Sequence, residues 1–344
     1  MESSEIKLTQ FSPGAGCGCK ISPADLQKII KHVPDKTHFE NLLVGCDTSD
    51  DAAVFDLGDG NAVISTTDFF TPIVDDPHDF GRIAAANAIS DIYAMGGKPI
   101  MAISILGWPL AKLSADIAGR VIEGAVEICK SAGIPLAGGH SIDISDPVFG
   151  LSVTGIIKKE NIKQNNTAND GCRLFLTKPL GIGILSTASK KNILDEVDYI
   201  NSVAWMTKLN SIGTILGTMP EVRAMTDVTG FGLLGHLLEI CEGSNLSARI
   251  YFEAIPKLEN IGTYIGKNCI PGGTFRNWKS YGEKVGKITE YQKLILADPQ
   301  TSGGLLIAVD PVAPAFDALV VSNSFVEIGI MQKGSMEKLI WIDE

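Results

Sequence analysis

NAVISTTDFFTPIVDDPHDFGRIAAANAISDIYAMGG, residues 61–97, decides how the chain is read. Its first ten residues are rich in β-branched and aromatic side chains and predict a strand. From about Asp79 the composition turns to alanine and isoleucine, and a helix is predicted that stops at the glycine pair Gly96–Gly97. The same alternation runs to either side. AAVFDL precedes it as a second strand, joined through a DLGDGN turn that resembles a hairpin. IMAISIL, the long amphipathic LSADIAGRVIEGAVEICKSAG with its glycine stop, IPLAGGHSI, VFGLSVTGIIKK and RLFLTKPLG continue it. The first half is therefore mixed α/β.

At 344 residues the chain is long for one domain, and two are expected. Residues 1–45 read as a mobile N-terminal arm with one short helix, SPADLQKIIKHV, capped by Ser22 ahead of Pro23. A packed core is not expected in the Pro/Gly-bearing part of that arm. Residues 46–157 form a first domain, and the polar, turn-rich KKENIKQNNTANDG (158–171) a junction. A second domain spans 170–344, in which MTDVTGFGLLGHLLEICEG opens a helix and the C-terminal stretch has strand character.

Apolar residues make up 45% and charged residues 20%, so the chain is globular. The net charge is −11, and no basic stripe with interleaved aromatics occurs, which argues against nucleic acid as a partner. ISILGWPLA is too short to span a bilayer, and MESSEIKLTQ has neither the basic nor the apolar region of a signal peptide. Seven scattered cysteines, without zinc-site spacing, predict reduced thiols in the cytoplasm.

Three features carry chemistry. The first is a set of aspartates at element ends: Asp50 and Asp51 opening a strand, Asp68 closing one, and Asp227 ahead of a glycine-rich turn. Asp91 differs, being ionisable in an otherwise apolar helix with Asn87 on the same face, four residues earlier. An isolated carboxylate there is costly unless paired or metal-bound. Any one of the others reads most simply as a cap or turn residue, so the set matters more than its members. Mg²⁺ takes one or two carboxylates together with phosphate oxygens and water. The second feature is the pair of glycine clusters AGGHSID (137–143) and DVTGFG (227–232), where backbone N–H groups can face phosphate. Neither is a Walker A loop, and taken alone each reads more simply as a plain turn. The third is GAGCGCK, residues 14–20, which puts Cys17, Cys19 and Lys20 on the arm. Lys20 is close enough to favour a thiolate, and such an arm can close over a substrate and exclude water.

In order along the chain, GAGCGCKISP (14–23), DTSDDAAVFDL (47–57), STTDFFTPIVDDP (65–77), NAISDIYAMGGKP (87–99), AGGHSI (137–142), LTKPLGIGIL (176–185), TDVTGFGLLGH (226–236) and DPQTSGGLL (298–306) resemble the selenophosphate synthetase (selenide, water dikinase) family. That family belongs to the aminoimidazole ribonucleotide synthetase-like (PurM-like) superfamily, and the arm separates it from relatives such as thiamine-monophosphate kinase. The resemblance covers essentially the whole length. It implies a two-domain PurM-like ATP-binding α/β (α+β) fold and a homodimer whose N-terminal domains share a β-barrel. The implied reaction converts ATP, selenide and water to selenophosphate, AMP and orthophosphate, with several Mg²⁺ ions and a K⁺-type activator. The family's reactive cysteine falls on Cys17 and its essential lysine on Lys20. Its magnesium carboxylates fall on Asp51, Asp91 and Asp227. Its nucleotide contacts fall on Lys20, Thr48, Ser49, Asp50, Asp68, Asp91, Gly139, His140 and Ser141. Expected partners are ATP, selenide and a second copy of the chain, with a selenium-delivery protein as a further candidate.

Two other readings compete. A kinase or cyclase of the same fold acting on a small metabolite has no use for the thiol arm. A thiol-bearing selenium or metal carrier has no use for the aspartate set.

Overall fold

The computed structural model describes residues 6–12, 14–21, 23–30, 39–45, 50–334 and 337–343. The first sheet holds β1 (Leu42–Val44), β2 (Ala53–Asp56), β3 (Asn61–Phe70), β4 (Lys98–Trp108), β5 (Leu136–Asp143) and β6 (Val148–Lys158) in the order β1-β2-β3-β6-β4-β5. Helix α1 (Pro23–Ile30) lies in the arm, and the first sheet's helices are α2 (Pro77–Ala94) and α3 (Ala115–Ser131). The β2–β3 hairpin forms as the DLGDGN turn predicts. β4 and β5 are parallel, with α3 as the crossover that a parallel pair requires.

The second sheet holds β7 (Arg173–Leu176), β8 (Val222–Asp227), β9 (Ser247–Tyr251), β10 (Leu305–Val309), β11 (Val326–Gln332) and β12 (Ile340–Asp343), in the order β12-β9-β11-β7-β10-β8. Every residue of β10 is buried, so this part of the sheet is covered on both faces. Its helices are α4 (Ile182–Lys190), α5 (Glu196–Thr207), α6 (Ile212–Gly217), α7 (Gly232–Ser244), α8 (Ile261–Gly266), α9 (Gly272–Tyr281), α10 (Glu290–Leu296) and α11 (Pro314–Asn323).

Helix α2 is the centre of the molecule. It starts where Asp76 accepts the Asp79 N–H and Pro77 takes the first turn. It is buried nearly all round, because it packs on β3 and β6, on α3, and on α5 and β8 of the second sheet's domain. That position makes its polar residues Asn87, Ser90 and Asp91 internal rather than solvated.

Along β3, Ala62, Ile64, Thr66 and Phe70 turn toward α2. The opposite face of the sheet is uncovered and apolar, with Phe55, Phe69, Ile103, Ile142 and Ile156 exposed on it.

Two expectations need correction. The arm is not without a core: Leu8 and Cys17 are buried, and Gly16 donates its N–H to the Thr71 carbonyl at 3.0 Å. Small residues let this segment lie flat in the groove between the domains. The cluster AGGHSID is not a turn. Residues 136–143 are strand β5 at the sheet edge, paired with β4. A Cβ at Gly139 would stand 2.1 Å from Ser104 Oγ, so glycine there serves close strand pairing.

Candidate active site

The site forms where the arm, the end of β3, the middle of α2 and the ends of β8 and β10 meet. Cys17 lies in a 3₁₀ turn, Gly16–Cys19, and is 1% exposed. Its N–H donates to Thr301 Oγ1 at 3.0 Å, and its thiol donates to Asn87 Oδ1 at 3.2 Å. Lys20 extends from the same turn, with Nζ 3.7 Å from Asp68 Oδ2. Asn87 joins these groups. Its Oδ1 also accepts the Ser302 N–H at 2.7 Å, while its Nδ2 donates to Asp68. One buried amide therefore holds the thiol, the carboxylate that pairs with Lys20, and the segment following Pro299.

Gly230, in the loop after β8, forms the seat of the arm. A Cβ there would lie 2.7 Å from the Cys17 carbonyl oxygen and 3.0 Å from Lys20 Cδ. The arm is gripped from outside by Arg276, which donates to the Gly18 carbonyl at 2.7 Å. Lys190 donates to the carbonyls of Ser12 and Gly14 at 2.8 and 3.2 Å.

Asp51, Asp91 and Asp227 face one another beyond Asn87. Thr226 Oγ1 donates to Asp51 Oδ1 at 2.8 Å, and Thr66 Oγ1 donates to Asp91 Oδ2. Burial, and then the neighbouring carboxylates, push Asp51 and Asp91 well above the usual carboxylate range. Asp227 is pushed up by burial, opposed by a Ser90 hydrogen bond and by His236 and Lys20. Asp51 Oδ2 and Asp227 Oδ2 are buried without a hydrogen-bond partner. Buried orphan carboxylate oxygens in mutual repulsion are what a cation relieves, and hard oxygen donors of this kind suit Mg²⁺, although Asp51, Asp91 and Asp227 do not bring three ligand atoms within 4.8 Å of one another.

The thiol contradicts one expectation. Lys20 does lower the Cys17 pKa, but burial, followed by Asp68, raises it more. In this arrangement Cys17 is a neutral thiol. Lys20 is itself pushed up, chiefly by Asp68, and stays charged.

Thr48 and Ser49 lie outside the described residues. Asp50 accepts the Asn165 N–H at 2.7 Å, tying the approach to β2 to the junction. Gly139, His140 and Ser141 are exposed on edge strand β5. The register Asp68–Leu151–Ser104–Gly139 puts Gly139 in the same cross-strand row as Asp68, three strands away. At ~4.8 Å per strand that is about 14 Å. His236 is buried, stacked on Phe231, with Nδ1 3.0 Å from Glu239 and Nε2 3.3 Å from Thr229 Oγ1. It serves the wall of the site.

Sequence reasoning passed over Asn87 as a site residue, and Thr66, Thr226, Thr301 and Ser302 altogether. Asn87 had a signal in its shared face with Asp91. Thr301 and Ser302 had one in DPQTSGGLL, where Ser302 holds φ +51° to present its N–H.

These features define a class. The family model "AIR synthase related protein, N-terminal domain" matches residues 49–157, and "AIR synthase related protein, C-terminal domain" matches 169–342. Thiamine-monophosphate kinase from Stenotrophomonas maltophilia has the same fold, with TM-score 0.65 at 18% identity over 94% of this chain and 96% of that one. So has the structure titled "AaThiL complexed with AMPPCP and TMP", with TM-score 0.67 at 16% identity over 94% of this chain and 93% of that one. The chain is thus a two-domain PurM-like protein.

Within that class the relatives are specific. A selenide, water dikinase of Photobacterium profundum is 60% identical over 90% of this chain and 89% of its own length. One of Photorhabdus laumondii is 59% identical over 90% of each. The chain belongs to the selenide, water dikinase family, the enzymes also called selenophosphate synthetases.

Proposed function

We propose that the chain converts ATP, selenide and water to selenophosphate, AMP and orthophosphate, with the arm and the aspartate cluster as its machinery. The observation that carries this reading is the junction at Asn87, where Cys17 and the Asp68 partner of Lys20 meet on one amide. A metabolite kinase has no need of a thiol fastened at that point.

Phosphoryl transfer is governed by positioning and charge stabilisation. Lys20, charged and on the arm, stabilises the terminal phosphate as the arm closes. Asp51, Asp91 and Asp227 would hold Mg²⁺, and the orphan oxygens of Asp51 and Asp227 support this. Mg²⁺ bound there supplies charge neutralisation for the triphosphate in an acidic protein. Asp68 and Asn87 fix Lys20 and Cys17 relative to each other. Cys17, a neutral thiol in this closed arrangement, orients or shields selenium and needs deprotonation before it can act as a nucleophile. Selenide is already nucleophilic, so no general base is required. Family membership adds K⁺ as activator and Thr48, Ser49, Asp50, Gly139, His140 and Ser141 as nucleotide contacts.

The open apolar face of the first sheet supports a homodimer. A second copy closing on it would bury Phe55, Phe69 and Ile103 in the shared barrel. Among the described residues no helix is long and apolar enough to cross a membrane, and the five free cysteines described are all buried, which suits a reducing cytoplasm.

The test is a nucleotide and phosphate balance under anaerobic conditions. AMP, orthophosphate and selenophosphate should appear in equal amounts, and only with selenide. Asp227→Ala should lose the Mg²⁺ dependence together with turnover. ADP as the nucleotide product, or turnover indifferent to selenide, would overturn the reading.

A further inference from the structure

LTKPLGIGIL (176–185) and DPQTSGGLL (298–306) meet at the start of α4. The first backbone N–H groups of a helix have no partner within it. Gly181, ahead of α4, has φ +126° and brings no side-chain cap. The cap comes from DPQTSGGLL instead. Gln300 Oε1 accepts the Gly181 and Ile182 N–H groups, each at 3.2 Å. Asp298 Oδ2 accepts those of Gly183 and Ile184 at 2.9 and 3.4 Å. Gln300 Nε2 joins the two side chains by donating to Asp298 Oδ2 at 2.8 Å. A Cβ at Gly183 would stand 2.6 Å from the Pro299 carbonyl oxygen, so glycine is what lets this loop lie on the helix. Asp298 is fully buried, and its Oδ1 has no hydrogen-bond partner. A buried orphan oxygen is costly, and capping alone does not call for one.

The two residues that follow this clamp hold the reactive part of the arm. Thr301 Oγ1 accepts the Cys17 N–H at 3.0 Å. Ser302, at φ +51°, donates its N–H at 2.7 Å to Asn87 Oδ1, the oxygen that also takes the Cys17 thiol. Lys178, from the first motif, donates to the Ser302 carbonyl at 2.8 Å. At the other end of α4, Lys190 donates to the Ser12 and Gly14 carbonyls. The helix is thus fastened to the arm at both ends. We propose that Asp298 and Gln300 are positioning residues for selenophosphate synthesis: their clamp on α4 fixes Thr301 and Ser302, and through these the Cys17 backbone and the Asn87 amide. The inference rests on the function proposed above. Gln300 and Thr301 are adjacent in the chain, so a slip of the loop that frees Gln300 also draws the Thr301 hydroxyl away from the Cys17 N–H. A displacement on the order of 1 Å at a reacting centre is enough to lower turnover substantially.

The experiment is a double-mutant cycle on the full-length protein. Gln300→Met keeps the size of the side chain and removes its hydrogen bonds. Thr301→Val keeps the shape and removes the acceptor of the Cys17 N–H. Alkylation of Cys17 by iodoacetamide is read by peptide mass spectrometry, well below the unfolding midpoint of each variant. Each single variant should raise the rate about tenfold, and the pair no further than either alone, because both release the same contact. A clamp that served stability only would lower the unfolding midpoint and leave the alkylation rate at that of the parent. In turnover, Gln300→Met should lower kcat about tenfold with KM for ATP unchanged. Parent-like alkylation or parent-like kcat in Gln300→Met, or independent effects that multiply in the pair, overturns the proposal. Gln300→Glu retains the acceptor oxygen and loses the donor to Asp298; it takes the place of Gln300→Met in the cycle if that variant does not fold. If the parent protein makes no AMP in response to selenide, the proposed function fails, and the alkylation cycle still decides whether the clamp positions Cys17.

Discussion

Replacing Asn87 by alanine tests the centre of the site. Asn87 is fully buried and makes three contacts: it accepts the Cys17 thiol at 3.2 Å and the Ser302 N–H at 2.7 Å, and donates to Asp68. Truncation leaves the Ser302 N–H without a partner in a buried place, at a cost of about 1–3 kcal/mol. Asp68 loses a donor to a charged group, on the order of 1.5–3 kcal/mol, reduced because Asp68 keeps Lys20 and is 12% exposed. The thiol contact is weak and adds little. A total of about 3 kcal/mol follows, since neighbouring terms are not additive. Urea unfolding followed by tryptophan fluorescence, with the slope checked against the parent, measures it. Turnover should fall by about 100-fold, because Cys17 and Lys20 lose their common anchor. A loss of stability below about 1 kcal/mol together with unchanged kcat/KM would refute the reasoning, since the amide would then be a spectator.

Gly230→Ala should unseat the arm, because its Cβ would meet the Cys17 carbonyl oxygen at 2.7 Å; faster alkylation of Cys17 and a fall in kcat, with the unfolding midpoint little changed, are the expected signs. Lys178 is buried, donates to the Lys208 and Ser302 carbonyls, and has its pKa lowered by burial from 10.5 to about 7. Between those values the unfolded chain holds a proton that the folded chain has shed, so stability rises with pH, by at most about 1.4 kcal/mol per unit. Lys178→Met should remove that slope in unfolding measurements at pH 7, 8 and 9. If the parent sediments as the proposed dimer, Ile103→Glu, on the open sheet face, should sediment as a monomer while leaving the far-UV circular dichroism intact. A sedimentation pattern identical to that of the parent would remove this face as the interface.

Much of the fold was legible because its signals are local. The alternating β3 and the alanine-rich α2 carry their periodicity in consecutive residues, and the DLGDGN turn names its own hairpin. The aspartates were legible through Asp91, whose charge is anomalous in an apolar helix. What sequence could not supply was convergence. Asn87, Thr301 and Gly14–Cys17 come from three distant parts of the chain, and only packing reveals that they touch. The glycines of AGGHSID misled for a related reason. Glycine marks both turns and close strand pairing, and the neighbour that decides, Ser104, lies 35 residues away. The state of the Cys17 thiol was hidden as well. Proximity to Lys20 is visible in GAGCGCK, but the burial that outweighs it is not.

The most direct measurement is anaerobic ³¹P NMR of the protein with ATP, Mg²⁺, K⁺ and selenide, run beside Cys17→Ser. The account predicts a selenium-coupled phosphorus signal with AMP and orthophosphate from the parent, and none from the variant. A parent that forms ADP without that signal, or a Cys17→Ser protein that forms it at the parent rate, would contradict it.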